Sequence, residues 1–156
     1  MGLAIFCIVI SLVWVATIRQ VLLKWTAGFF AVTFLLIALS GSMLLDPFFA
    51  LYWLGATMMA NILYGLYVVK HSQLGKFDKG TFLLFILILV LKTVSEINHY
   101  PFQSQSRIIQ ALSLTIPLLI SIKMLRKKEH SGMVKINSLY LLLYVPIIYN
   151  YLREVY

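Results

Sequence analysis

Residues 3–23 read LAIFCIVISLVWVATIRQVLL, and this apolar stretch decides the fold class of the chain. It carries a single charged side chain, Arg19, close to its C-terminal end. A helix needs about 20 predominantly apolar residues to cross the hydrocarbon core of a bilayer, so the stretch predicts a transmembrane helix. No basic residue precedes it and no small-residue cleavage motif follows it. We therefore expect a retained span and not a signal peptide.

Five further apolar stretches follow along the chain. The predicted spans are 26–45, 48–69, 81–97, 108–125 and 136–152. Asp46 and Pro47 separate the second span from the third, because proline suits the first turn of a helix and disfavours helix in the residue before it. The last stretch contains Pro146 and several tyrosines, so a five-span protein is the alternative. We expect an all-α, polytopic transmembrane helical bundle with short loops, forming a single integral-membrane domain over residues 1–156.

The composition excludes most classes of soluble protein. Of the 156 residues, 62% are hydrophobic and 12% are charged, against about 45–50% and about 25% in soluble domains. A soluble domain of this size cannot bury so much apolar surface. The 13 Lys and Arg residues outnumber the 5 Asp and Glu residues. In a membrane protein such an excess reflects loop orientation and contact with anionic lipids, and we expect no nucleic-acid partner.

The basic residues are distributed unevenly between the connectors. Ten of the 13 fall in alternate connectors or at the adjoining span ends: Arg19, Lys24, Lys70, Lys76, Lys79, Lys123, Arg126, Lys127, Lys128 and Lys135. Because cytoplasmic loops are enriched in Lys and Arg, this alternation predicts six spans with both termini outside. It also predicts an integral protein of a bacterial cytoplasmic (inner) membrane, whose basic inner loops contact anionic lipid headgroups.

Polar residues inside the predicted spans are candidates for ligand or pathway roles. In span five, Gln110, Ser113 and Ser121 recur at helical spacing on the face that also holds Pro117. Polar groups in hydrocarbon are costly and usually face protein or water, so this stripe is either a seam between helices or the wall of a hydrated pathway. In span three, Asn61 is either an interhelical hydrogen-bonding residue or a substrate ligand, and Tyr64 flanks the same helical face.

Span six also carries polar side chains on one helical face. This face holds Asn137, Tyr140, Tyr144, Tyr151 and Glu154 and is interrupted by Ile147. Their spacings are those of residues on one side of a helix. Such a face either packs against other helices or lines an amphipathic ligand pocket.

A cluster of titratable residues falls on the predicted outer side. Lys92, Glu96 and His99 share one face at the end of span four, and Asp46 and Arg107 lie near connectors on the same side. A carboxylate beside an imidazole can relay protons, so Glu96 and His99 are the candidate catalytic residues. The other three are candidate ligand or pathway residues. The alternative is that these charges only anchor helix ends among the headgroups.

No metal-binding, phosphate-binding or nucleophile motif occurs in the sequence, so we expect no metal and no cofactor. Three functions compete. The first is a non-enzymatic subunit, assembly factor or scaffold of a larger membrane complex, whose partners are other membrane subunits or further copies of the chain. The second is a small oligomeric transporter or channel for a small solute or protons. The third is a membrane-embedded enzyme acting on a lipid or isoprenoid. The short loops and polar seams favour the first.

Overall fold

Six α-helices run through the part of the chain that the computed structural model describes, residues 2–40, 47–97, 106–127 and 131–155. Side chains are described for 2–39, 51–95, 111–127, 132–150 and 152–153. The helices are α1 (Gly2–Thr17), α2 (Val21–Ser40), α3 (Pro47–His71), α4 (Lys76–Ile97), α5 (Ser106–Arg126) and α6 (Ser131–Val155). These residues contain no strand, so the all-helical prediction is confirmed.

The first helix break lies inside the apolar stretch 3–23, which we expected to form one span. α1 ends at Thr17, and the Lys24 amide donates to the Gln20 carbonyl at 2.8 Å as α2 begins. Arg19 and Gln20 are exposed between the two helices. Arg19 and Gln20 lie outside both helices, where their side chains reach the surface. The residues on both sides of them are apolar, so the average hydropathy stays high across the break.

Three described helical segments are long and apolar enough to cross a membrane. They are Val21–Leu39, Leu51–His71 and Gly132–Asn150, with mean hydropathies of 2.0, 1.2 and 1.4. The apolar helix α1 has 16 residues and, at about 1.5 Å per residue, falls short of a hydrocarbon core about 30 Å thick. The described helices are thus compatible with a membrane protein, and the count of six spans stays a prediction.

Helices that follow one another in the chain pack together, and α6 returns to contact α1 and α2. The interior holds large apolar side chains from all parts of the bundle, including Leu23, Phe30, Phe82, Met124 and Leu139, each fully buried. The closing contacts of α6 matter most for the candidate site, because they bring its polar face against α2 and α3.

Many outward-facing side chains of the bundle are apolar. Exposed Leu, Val, Ile and Phe residues occur on every helix, for example Leu12, Leu35, Leu66, Leu87 and Leu119. Monomeric soluble proteins rarely expose apolar patches beyond a few hundred Å². In a bilayer the same surface contacts lipid tails and carries no such penalty.

Most basic side chains gather at one end of the bundle, which we call the basic end. Polar contacts join its helix termini: Lys79 Nζ donates to the Val69 carbonyl at 3.1 Å, and Lys123 pairs with Asp78 at 2.5 Å. The basic end carries Arg19, Lys24, Lys70, Lys76, Lys79, Lys123, Arg126, Lys127 and Lys135. The charge alternation seen in the sequence therefore corresponds to a polarised bundle.

Candidate functional site

Five large polar side chains from two helices are buried inside the bundle. Asn61 and Tyr64 come from α3, and Asn137, Tyr140 and Tyr144 come from α6; none is more than 2% exposed. We call these five residues the central polar cluster. Their spacings of three and four residues put each set on one face of its helix, and the packing of α6 turns both faces inward.

A hydrogen bond joins the two halves of the central polar cluster. Asn61 Nδ2 donates to Tyr144 Oη, and also to the Thr57 carbonyl within α3 at 2.9 Å. One turn away, the hydroxyls of Thr57 and Thr33 lie 3.3 Å apart and connect α3 with α2. Asn61 therefore makes a hydrogen bond between helices, as expected if it is an interhelical hydrogen-bonding residue. Its role as a substrate ligand stays a prediction.

The tyrosine rings form a continuous aromatic stack. The ring centroids of Tyr140 and Tyr144 are 4.3 Å apart, and those of Tyr64 and Tyr140 are 5.6 Å apart. Phe30 meets Tyr140 edge-on at 6.5 Å, and Phe82 meets Tyr64 edge-on at 5.5 Å. Edge-to-face and tilted pairs at these distances are favourable beyond their burial. The stack thus joins α2, α3, α4 and α6 around Tyr140.

Several buried polar atoms have no hydrogen-bond partner among the described residues. They are Asn61 Oδ1, Asn137 Oδ1, Ser121 Oγ and Tyr140 Oη. Leaving such an atom unsatisfied costs about 1–3 kcal/mol. Two amide oxygens and two hydroxyls are chemically suited to accept hydrogen bonds from a small polar molecule or a cation.

The polar stripe of α5 faces the protein interior where the structure describes it. Ser113, Pro117 and Ser121 are buried, and Asn137 Nδ2 of α6 donates to the Ser121 carbonyl at 3.3 Å. Contact with a neighbouring helix of this kind is the geometry expected where two helices pack together. The side chain of Gln110 lies outside the described residues, and the ligand or pathway assignments of Gln110 and Ser113 stay predictions.

The titratable cluster predicted near the outer side is only partly covered by the described residues. Lys92 is half-buried on α4. The side chains of Glu96 and Arg107, and the whole of Asp46 and His99, lie outside the described residues. Their catalytic and ligand assignments therefore stay predictions. Within the described ranges, no group of three His, Cys, Asp or Glu side chains is placed to hold a metal ion.

Sequence reasoning identified the polar members of the central cluster but not the apolar side chains that complete it. Phe30 and Phe82 occupy segments in which almost every residue is apolar, so neither is distinguishable from its neighbours in the sequence. Asn61 and the tyrosines were identified because polar side chains are rare inside apolar segments.

No protein-family model, no curated protein and no solved structure matches this chain.

Proposed function

We propose that this chain is a six-span integral membrane protein that acts as a non-enzymatic subunit, assembly factor or scaffold of a larger membrane complex. One observation carries the proposal: two interior amide side chains make hydrogen bonds between helices. Asn61 bonds to Tyr144, and Asn137 bonds to the backbone at Ser121. Polar contacts of this kind stabilise helix association in lipid, and they support a role in packing and assembly.

The outward surface supports the same proposal. Apolar side chains on every helix offer broad faces to lipid or to the helices of another membrane subunit. The bilayer is therefore one proposed partner, and other membrane subunits or further copies of the chain are the others.

The decisive experiment is the native mass of the tagged protein extracted from its own membranes in a mild detergent. We expect complexes heavier than the 17.9 kDa chain that contain a different membrane protein in fixed ratio. An unrelated tagged membrane protein, extracted in the same way, identifies non-specific passengers. A bare monomer or a pure homo-oligomer under these conditions would contradict the proposal.

For location, we propose the cytoplasmic membrane of a bacterium, with the basic end inside and both termini outside. The gathering of Lys and Arg side chains at one end of the bundle supports this orientation. Anionic lipid headgroups are then the expected neighbours of the basic loops.

Thiol accessibility tests this orientation. In a Cys7→Ala background, we expect Gly75→Cys at the basic end to resist a membrane-impermeant thiol reagent applied to intact cells. Arg153→Cys near the end of α6 should react readily. Both positions are exposed in the structure, so both should react once the membrane is permeabilised, and this is the control. Reaction of Gly75→Cys in intact cells would exclude the orientation.

A small oligomeric transporter or channel is the second candidate. The observation that favours it is the group of buried oxygens without partners among the described residues, Asn61 Oδ1, Asn137 Oδ1 and Tyr140 Oη. A pathway for protons or a small polar solute needs such atoms. Replacing Tyr140 with phenylalanine, which removes one of these oxygens, separates this candidate from the first.

A further inference from the structure

A pocket of about 360 Å³ lies at the basic end, beside the connection between α1 and α2. It is lined by Thr17, Ile18, Arg19, Gln20, Leu23, Gly132 and Lys135. Small-molecule sites commonly occupy about 300–1,000 Å³, so the volume suits a compact ligand. The pocket is separate from the central polar cluster, because none of its lining residues belongs to that cluster.

The lining of the pocket is positively charged. It includes Arg19 and Lys135 and contains no acidic residue among the described side chains. Lys135 Nζ donates to Thr17 Oγ1 at 3.0 Å, which fixes the end of the lysine side chain at the pocket. A lysine ammonium has three donors and an arginine guanidinium has five, so donors remain for an anion.

Two helices begin at this pocket. Gln20 directly precedes α2, Leu23 lies in the first turn of α2, and Gly132 lies in the first turn of α6. The first intrahelical bond of α2 starts at Lys24, so the three amides before it have no acceptor within the helix. Among the described residues, the first turns of α2 and α6 contain no Asp or Glu. Helix N-termini carry partial positive charge, which adds to that of the two cationic side chains.

Glycine at position 132 allows the starts of these two helices to meet. A Cβ atom there would lie 3.3 Å from Leu23 Cδ1 and 3.6 Å from Ile18 Cγ2. The approach of α6 brings Lys135, one turn further along, to the same pocket as Arg19. The cationic pair is thus a product of the fold, since 116 positions separate the two residues in the sequence.

We propose that this pocket binds a phosphate group, and that its source is the headgroup of an anionic membrane lipid. The membrane source follows from the position of the pocket at the basic end of a bundle whose helices carry exposed apolar side chains. If those side chains contact lipid tails, the basic end lies in the headgroup layer, where anionic phosphate groups are the neighbours of Lys and Arg. This inference rests on the proposed membrane location and identifies one discrete lipid site in it.

Lipid titration of the purified full-length protein in detergent, followed by native mass spectrometry, tests the site. We expect phosphatidylglycerol to bind more tightly than phosphatidylcholine. Arg19→Gln and Lys135→Gln should each weaken phosphatidylglycerol binding about tenfold, since a charge-assisted contact to phosphate is lost. Lys70→Gln and Lys76→Gln are the matched controls. Both side chains are exposed at the same end but line no part of the pocket, and each substitution should change binding less than twofold.

Three outcomes would overturn the proposal. They are equal binding of the two lipids, unchanged binding in Arg19→Gln, and equal losses in the control variants. Inorganic phosphate is titrated in parallel, and displacement of phosphatidylglycerol by millimolar phosphate would overturn the lipid source. If Lys135→Gln disturbs folding because its contact with Thr17 is lost, the binding measured for Arg19→Gln tests the site. Arg19 is exposed and lies outside the helices, so its substitution should leave folding unchanged. The titration uses no partner subunit, so its result is independent of whether a membrane complex is recovered.

Discussion

Replacing Tyr140 with alanine is expected to lower the free energy of unfolding by about 3–5 kcal/mol, the range for truncating a buried aromatic side chain. Tyr140 is fully buried, and its ring contacts those of Phe30, Tyr64 and Tyr144. The substitution therefore removes the ring through which α6 contacts the aromatic side chains of α2 and α3. In lipid, helix association depends on packing more than on the hydrophobic effect, so we expect a value at the lower end of the range.

Tyr140→Phe is the matched control because it keeps the ring and removes only the hydroxyl. Tyr140 Oη has no hydrogen-bond partner among the described residues, and a buried unsatisfied hydroxyl costs about 1–3 kcal/mol. The phenylalanine variant should therefore be as stable as the native protein or more stable. Denaturant unfolding of both variants in mixed detergent micelles measures the difference. A large loss in Tyr140→Phe would mean that the hydroxyl, and not the packing of the ring, stabilises the bundle.

The same variant separates the two candidate functions. If the central polar cluster only packs helices, Tyr140→Phe should assemble with the same partners as the native chain. If the cluster forms part of a pathway, the variant should fold normally but lose proton flux in proteoliposomes. A stable variant that conducts no protons, set against a conducting native protein, would favour transport over the subunit hypothesis.

The sequence predicts the helices well where a chemical marker defines an end. α3 was expected over 48–69 and runs from Pro47 to His71, because Asp46 and Pro47 interrupt the hydropathy at a helix start. The boundary between α1 and α2 has no proline or glycine to mark it. Arg19 and Gln20 are too few to lower the average hydropathy of their surroundings, so hydropathy predicts the break several residues too late.

Several helices extend beyond the apolar stretches that predict the spans. α4 begins at Lys76 and α6 at Ser131, whereas the expected spans began at residues 81 and 136. Hydropathy reports which residues suit lipid, while backbone hydrogen bonding continues into the polar layer. Asp78 in the first turn of α4 suits the positive end of that helix and pairs with Lys123. Helix ends of this kind require electrostatics as well as hydropathy to predict.

In the candidate site, the sequence identifies single polar residues but not which of them contact one another. Asn61 and Tyr144 each stand out as polar residues in apolar segments. Their pairing does not follow from the sequence, because 83 positions separate them, and their contact depends on the order and rotation of the helices. The pocket at Arg19 and Lys135 was also not predicted, since two basic residues in separate connectors give no sign that they share a cavity.

Replacing Leu87 with arginine is expected to cost about 2.5–3.5 kcal/mol if α4 spans the bilayer, the cost of a charge at the centre of a transmembrane helix. Leu87 lies at the middle of α4 (Lys76–Ile97) and is 54% exposed on the outer face. The substitution therefore removes few contacts inside the protein. Its effect on stability then depends on whether lipid or water surrounds the middle of α4. On a water-exposed surface the same change would stay within about 0.5 kcal/mol.

Phe77→Arg is the control for this prediction, because Phe77 is 84% exposed in the first turn of the same helix at the basic end. An arginine there can extend to the headgroup layer, so we expect near-native stability. Unfolding of both variants in lipid bicelles and their yield in the membrane fraction are the measurements. A marked loss at Leu87 with none at Phe77 would support a spanning α4 and with it the six-span bundle. Equal, near-native behaviour of the two variants would place the middle of α4 outside the hydrocarbon core and contradict that count of spans.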